Sequence, residues 1–323
     1  MKILITGCGS IGKRHAKNAA NLAETAVVDI NPKVAKDCAR KLRIQAFTDI
    51  KSALEWNPDG VVVATPTNLH IPVAMASVES GANVLIEKPI SNSLDGVDAF
   101  LKRSESLGRK VFVVCNMRFH PGISALHRNL DLIGRPFFAR AHVGNFLPKM
   151  RPNSDYRKLY CASKAQGGGV ILDAIHEIDY LMWIFGTVHK VICDATKLSD
   201  LEIDVEDYAC ICLRHENNVA AEIQMDYLRP FKRRGCEIVG EQGILLWQSE
   251  GKNPEKCSVR LYERKIGKWK PLLYTENVDN NSPYKTLMEH FIAGIQGHDV
   301  PLLKGHEAAE ELSVALRALK MSQ

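Results

Sequence analysis

The sequence lacks the features that mark a protein for export, for a membrane or for a nucleic acid. Its 323 residues include nine cysteines, but none forms a CxxC pair and the number is odd, which argues against a disulfide framework and favours a reducing, cytoplasmic setting. No apolar run approaches the roughly eighteen residues of a membrane-spanning helix, and the first residues indicate a buried strand rather than a signal peptide. The net charge is only +5, with scattered basic residues, so we expect neither nucleic acid nor membrane as a partner.

Short apolar runs and amphipathic stretches alternate through the first third of the chain. The runs lie at 2–6, 25–29, 44–47, 61–64, 83–87 and 111–115. Such alternation is typical of βαβ units around a parallel sheet. We therefore predict an α/β fold whose first domain, residues 1–120, is an NAD-binding Rossmann domain with a doubly wound parallel sheet.

The pattern changes after Pro121. We predict strands at 136–146, 187–198, 205–215, 218–229 and 235–248, and helices near 122–133, 169–185, 284–297 and 305–321. Short turns at 215–218 and 240–243 favour an antiparallel arrangement. Residues 121–323 should thus form an α+β domain for substrate binding and oligomerisation, with a mainly antiparallel open sheet and C-terminal helices that pack back toward the first domain.

A glycine-rich turn follows the first strand and opens a helix. Gly7, Gly9 and Gly12 occupy the positions where a tight turn, close approach to a pyrophosphate and helix–strand packing each require the absence of a side chain. The first backbone N–H groups of that helix, at Ser10 and Ile11, should face the phosphates.

An acidic residue ends the second predicted strand. Asp29 lies about twenty residues beyond the glycines, where a carboxylate accepts hydrogen bonds from the adenine ribose and repels a 2′-phosphate. This favours NAD over NADP, although Lys33 and Lys36 lie close in sequence. The alternative is that Asp29 only caps the helix that follows Asn31 and Pro32.

Two further segments end predicted strands at the same edge of the sheet, where open α/β sheets bind ligands. The first is the turn at 64–70, and its alternative interpretation is a loop with a capped helix start. Its candidate cofactor-binding residues are Thr65, Pro66, Asn68 and His70. The second holds Asn116 and Arg118, which we expect to bind substrate or cofactor, unless Arg118 forms a salt bridge at the domain hinge.

At Glu87-Lys88-Pro89 the sequence resembles the glucose-fructose oxidoreductase and inositol dehydrogenase family, known as Gfo/Idh/MocA. The resemblance extends, in the family's order, over residues 1 to about 185. It includes GCGSIGKRH at 7–15, ATPTNLH at 64–70, NMRFHP at 116–121 and the three glycines at 167–169 that lead to Asp173 and His176. It implies a dehydrogenase that transfers hydride between nicotinamide and a sugar, a polyol or a nucleotide sugar.

The resemblance implies that Lys88 is catalytic and also contacts the cofactor. Chemistry supports this, because oxidation of an alcohol needs a base near the hydroxyl and a cation that stabilises the developing alkoxide. Glu87 is expected to position Lys88 or to bind the nicotinamide ribose, and a surface ion pair is the alternative. The resemblance also suggests a cis Lys88–Pro89 bond, which proline makes accessible.

Asp173 and His176 are the expected catalytic residues of the second domain. If 169–185 is one helix, their spacing of three places both on one face, with His176 as general acid or base and Asp173 binding a substrate hydroxyl or orienting the histidine. The commonest family pattern has a spacing of four, so this chain departs from it at Asp173. A zinc site would lack a third well-spaced ligand, and we predict no metal.

Tyr156 and Arg157 resemble an aromatic–arginine pair that the family places near its substrate. An aromatic ring and a forked hydrogen-bond donor suit sugar hydroxyls or a phosphate.

Two other functions would use the same catalytic and cofactor-binding residues: an NAD-assisted glycosidase or lyase, and a non-catalytic sensor of sugar or cofactor. A homodimer or homotetramer is expected, because sheets of the family's second domain often pair face to face.

Overall fold

The computed structural model describes residues 1–151, 154–251, 254–299 and 301–321. Clustering of contacts divides the chain into two compact units. The first comprises Met1–Asn116 and Tyr284–Leu312, and the second comprises Met117–Pro283 with residues 313–321. Within the described residues, no helix combines the length and the apolar character needed to cross a membrane.

The first unit is built on a parallel sheet. Its strands in the described ranges are β1 (Lys2–Thr6), β2 (Glu24–Val28), β3 (Gln45–Phe47), β4 (Gly60–Val63), β5 (Asn83–Ile86) and β6 (Val111–Val113). They are arranged in the order β3-β2-β1-β4-β5-β6, and each neighbouring pair is parallel. This is the doubly wound order with a switch point between β1 and β4, as the alternating sequence predicted.

Helices connect these strands. The bounds are α1 (Ser10–Ala19), α2 (Pro32–Leu42), α3 (Ile50–Glu55), α4 (His70–Glu79) and α5 (Val97–Ser106). Because β1, β4 and β5 are buried on both faces, their side chains are almost wholly apolar. The carboxyl ends of these three strands therefore bring the glycine loop, the turn at 64–70 and Glu87-Lys88 to one edge of the sheet.

The second unit is built on a mixed, mainly antiparallel sheet. Its strands in the described ranges are β7 (Pro136–Gly144), β8 (Val188–Thr196), β9 (Tyr208–His215), β10 (Ala220–Asp226), β11 (Arg233–Gly240), β12 (Gly243–Glu250), β13 (Glu255–Glu263) and β14 (Lys268–Val278). The order is β14-β13-β12-β11-β7-β10-β9-β8, in which only β7 and β10 pair in parallel within the described part of the chain. The predicted α+β class is confirmed.

The remaining helices are α6 (Pro121–Arg128), α7 (Leu147–Met150), α8 (Val170–Asp173), α9 (His176–Phe185), α10 (Ser282–Ile295) and α11 (Gly305–Met321). Helices α6, α8 and α9 pack on the sheet of the second unit. The burial of alternate residues shows which face they cover: Ala209, Ile211 and Leu213 of β9 are buried, whereas Cys212 and Arg214 are exposed.

Three predictions of secondary structure were wrong. Residues 235–248 form a hairpin of β11 and β12 rather than one strand. The helix predicted at 122–133 ends at Arg128, and a 3-10 turn follows at Leu130–Ile133. The single helix predicted at 169–185 is two helices, α8 and α9, separated by Ala174 and Ile175, so Asp173 and His176 do not share one continuous helix.

Candidate active site

The glycine loop is shaped by close approaches of backbone to backbone. A Cβ on Gly12 would lie 1.8 Å from the carbonyl oxygen of Gly7, and a Cβ on Gly7 would lie 2.6 Å from that of Ala64. Gly7 also has a φ of +85°, which favours glycine. Both positions therefore require glycine for the packing of the protein itself.

Gly9 requires a different explanation. Its φ of −66° suits any residue, and a Cβ there would meet no described atom within 4 Å. Gly9 precedes α1 and provides no side-chain cap, so the first N–H groups of α1 are left for another acceptor. The loop thus offers an open cradle at a helix N-terminus, which fits a pyrophosphate.

Asp29 is held beside this cradle. Its carboxylate accepts hydrogen bonds from the backbone N–H of Cys8, at 2.8 Å, and of Asn31, at 2.9 Å. The cap of α2 is Asn31, whose side chain accepts from the N–H groups of Lys33 and Val34. Asp29 is therefore not the side-chain cap of α2, and it remains half-exposed at the carboxyl end of β2.

Some residues of the turn after β4 are exposed and others are buried. Pro66 and Asn68 are exposed, whereas the Thr65 hydroxyl oxygen is buried and has no hydrogen-bond partner in the described ranges. His70 is buried and its ring nitrogens lie 2.9 Å from the Pro89 carbonyl oxygen and 3.0 Å from that of Thr65. Burial lowers the pKa of His70. Through these two contacts its ring joins the backbone of Thr65 to that of Pro89 at this edge of the sheet.

Glu87 is buried at the end of β5. One carboxylate oxygen lies 2.8 Å from Nε2 of His15, and the other accepts the backbone N–H of Lys88 at 3.1 Å. Although burial alone would raise the pKa of Glu87, the contact with His15 holds it below its usual value. The Lys88–Pro89 bond is cis, as expected.

Asn116 follows β6 at the same edge and is buried. Its side-chain oxygen has no hydrogen-bond partner among the described residues, so it could accept a hydrogen bond from a ligand.

In the second unit, the buried Arg118 and the half-buried Arg234 anchor α9. The guanidinium of Arg118 donates to Asp179 at 2.7 Å, and both side chains are almost fully buried. Arg234 donates to both carboxylate oxygens of Glu177, at 2.5 and 2.8 Å. Because His176 is the first residue of α9, these ion pairs fix the start of the helix that carries it.

Asp173 ends α8 and lies under the loop at 156–166. It accepts a short hydrogen bond from the Tyr160 hydroxyl. The backbone of this loop approaches the glycines so closely that a Cβ on Gly168 would lie 2.5 Å from the Tyr160 carbonyl oxygen. The glycine run thus lets the loop place Tyr160 on Asp173, while His176 is buried and Asp173 is more exposed.

Tyr156 and Arg157 lie in the outer part of this loop. The guanidinium of Arg157 pairs with Asp155 at 2.9 Å and with Glu202 at 3.0 Å. The Tyr156 hydroxyl accepts the backbone N–H of Glu202 at 3.2 Å.

Comparison with known proteins gives the family. Residues 1–115 match the model of an oxidoreductase family with an NAD-binding Rossmann fold, GFO_IDH_MocA, and residues 130–246 match the GFO/IDH/MocA C-terminal domain. This chain belongs to the Gfo/Idh/MocA family. The expectations of an oxidoreductase and of NAD as its cofactor are thereby confirmed.

Individual relatives span the whole chain. Myo-inositol 2-dehydrogenase of Thermotoga maritima is 26% identical over 99% of this chain and 96% of its own length. Two solved structures share the fold: an oxidoreductase of Agrobacterium radiobacter in complex with NAD+, L-tartaric acid and magnesium, and the WlbA dehydrogenase of Bordetella pertussis in complex with NADH and UDP-GlcNAcA. The first is 18% identical with a TM-score of 0.85 and covers 100% of this chain and 96% of its own. The second is 21% identical with a TM-score of 0.82 and the same coverages.

The motifs of this chain are visible in its sequence, but the side chains that contact the motif residues are not. His15 lies in the GCGSIGKRH segment, but its contact with Glu87 joins residues 72 positions apart. No sequence signal linked Tyr160 to Asp173. Arg118, predicted to bind substrate or cofactor, forms a buried salt bridge with Asp179, and its role as a ligand stays a prediction.

The different roles of the glycines give a test of the cofactor cradle. Gly9→Ala should change the free energy of unfolding by less than about 1 kcal/mol but weaken NAD binding about tenfold or more, because the methyl group enters the space of the pyrophosphate. Gly12→Ala should destabilise the protein by about 1–3 kcal/mol, because its methyl group meets a carbonyl. Urea unfolding measures the stability of each variant, and fluorescence titration measures its affinity for NADH. Equal NADH affinity of Gly9→Ala and wild type would contradict the role of this loop in cofactor binding.

The anchoring of α9 gives a second test. Arg118→Met leaves the buried Asp179 carboxylate without its cation and should destabilise the second unit by about 3 kcal/mol or more. The matched control is Arg140→Met, which breaks the exposed pair with Glu222 and should have a far smaller effect. Urea unfolding followed by tryptophan fluorescence is suitable because Trp183, Trp247 and Trp269 lie in this unit. Equal stability of the two variants would contradict the anchoring role.

Proposed function

We propose that this protein oxidises a secondary hydroxyl of a cyclic polyol, a sugar or a nucleotide sugar, with NAD+ as hydride acceptor. The observation that carries the proposal is the placement of Lys88 at the carboxyl end of β5, on the sheet edge that carries the glycine cradle. The relative named myo-inositol 2-dehydrogenase and the WlbA dehydrogenase solved with UDP-GlcNAcA support the substrate class.

Gly9, Ser10, Ile11 and Asp29 would hold the cofactor, the first three at its pyrophosphate and Asp29 at its adenine ribose. Thr65 and Asn116 each provide a buried oxygen without a partner in the described residues, which suits ligand groups that reach the carboxyl edge. When bound, NAD+ accepts hydride from the carbon that bears the hydroxyl.

In this proposal Lys88 stabilises the negative charge that develops on the substrate oxygen. His176 accepts or donates the hydroxyl proton, since an imidazole can do either. Asp173 binds a neighbouring hydroxyl through its carboxylate, which Tyr160 orients. The structure places Pro66 and Asn68 at the surface and engages His70, Tyr156 and Arg157 with the protein, so we assign these five residues no chemical step.

The assay follows NADH formation with myo-inositol, free aldoses and UDP-N-acetylhexosamines. Lys88→Ala should lower kcat by about 100-fold or more, because the charge on the oxygen loses its cation. The control is Lys102→Ala, which removes an exposed lysine that pairs with Asp98 and should leave kcat unchanged.

Unchanged turnover in folded Lys88→Ala would contradict the role of Lys88. Release of a sugar leaving group without net NADH would replace the proposal by NAD-assisted elimination. Tight NADH binding without turnover of any compound in the panel would favour a sensor.

We also propose that the protein forms a homo-oligomer through the sheet face that α6, α8 and α9 leave uncovered. Phe138, Ile192 and Tyr274 are exposed large side chains on strands of this sheet, and a second copy would remove them from water. Sedimentation equilibrium should give a multiple of the 36.0 kDa chain mass. Ile192→Asp should lower that mass, and a monomeric wild type at micromolar concentration would contradict the proposal.

A further inference from the structure

A buried histidine contacts the segment that carries Lys88. His15 lies in the second turn of α1 and is fully buried, and its Nε2 lies 2.8 Å from the Glu87 carboxylate. The carboxylate only accepts hydrogen bonds, so His15 must donate from Nε2. Its Nδ1 is buried without a partner in the described part of the chain, and the ring packs edge-on against Tyr284 at 5.8 Å.

Glu87 also contacts the backbone of Lys88. The carboxylate oxygen not bound by His15 accepts the Lys88 N–H at 3.1 Å. A buried carboxylate that lost a donor would carry a large desolvation cost. Its two donors, one from α1 and one from residue 88, therefore restrict where residue 88 can lie.

The same helix begins at the cofactor cradle. Helix α1 runs without interruption from Ser10, beside the cradle, to Ala19. Residues 10 and 15 are separated by only about 7.5 Å along the axis of a continuous helix. A rigid element thus links the phosphate-binding N–H groups to the donor that holds Glu87.

We propose that His15 is a positioning residue which, acting through Glu87, sets the place of Lys88 relative to the cofactor loop. The proposal rests on the proposed function for its effect on catalysis. In this proposal each oxygen of Glu87 accepts a hydrogen bond from the protein, one from His15 and one from the Lys88 backbone, and the role of Glu87 is to position Lys88.

Two substitutions separate the effect of the hydrogen-bond donor from the effect of the volume of the ring. His15→Leu removes the hydrogen bond, whereas the amide of His15→Gln can still donate near the position of Nε2. We expect His15→Leu to lower kcat about 10- to 100-fold, as for a misplaced catalytic group, with less than about 3-fold change in KM. His15→Gln should stay within about 3-fold of wild type in kcat.

A double-mutant cycle tests the route through Glu87. In the Glu87→Gln background, His15→Leu should reduce kcat by less than about a further 3-fold, because the two residues act as one unit. Full additivity of the two losses would overturn the proposal, as would a loss in His15→Gln as large as in His15→Leu.

A measurement without substrate makes the result independent of the proposed function. The backbone amide resonance of Lys88, followed in a 15N-labelled protein, should shift in His15→Leu and stay near its wild-type position in His15→Gln. The matched control is His306→Leu, because His306 also lies 2.8 Å from a carboxylate, that of Glu105, but on the surface. An unmoved Lys88 amide in His15→Leu would overturn the proposal, whereas a moved amide in a protein that oxidises none of the compounds would refute only the proposed function.

Discussion

A missing side chain at Gly12 is the constraint on which the first unit depends. The Gly7 carbonyl oxygen occupies the place where a Cβ would lie, so α1 begins directly above the end of β1. This close packing turns the free N–H groups of α1 toward the cradle. It also places His15, in the second turn of α1, within hydrogen-bond distance of Glu87, which follows β5. One steric condition thereby fixes both the cofactor loop and the lysine segment.

The buried carboxylates follow a common physical rule. Glu87, Glu177 and Asp179 are each almost fully buried, and each has a histidine or an arginine at hydrogen-bond distance. A buried charge without such a partner would be strongly destabilising. The partner must therefore stay in place, and this requirement orders the segments that carry Lys88 and His176. Because these charges are buried, the positions of Lys88 and His176 depend on the fold around them and not only on their own segments.

The sequence was sufficient wherever the deciding interaction is local. The strands of the Rossmann sheet follow from apolar runs, and the glycine loop follows from steric conditions within a few residues. It was insufficient where the partner is remote: nothing near Arg118 reveals that Asp179, 61 positions away, would engage it. Strands β13 and β14 were not predicted. In β13 the signal was present, since the buried Cys257, Val259 and Leu261 alternate with polar residues, whereas in β14 Lys268 and Lys270 leave little apolar pattern. The site residues assigned from the resemblance remain predictions until variants are measured.

The division of the predicted helix at 169–185 shows how remote contacts override a local pattern. Glu206 holds the start of α8, because its carbonyl oxygen accepts the N–H of Val170 and its carboxylate accepts that of Ile171. The start of α9 is held instead by Arg118 and Arg234. Because the starts of α8 and α9 are held by different segments of the second unit, one continuous helical repeat is not maintained, although neither Ala174 nor Ile175 is a helix breaker. The spacing between Asp173 and His176 is one residue shorter than the commonest family pattern, yet Tyr160 fixes the carboxylate from the neighbouring loop. The position of Asp173 is therefore determined by its hydrogen bond to this loop and not by the face of a helix.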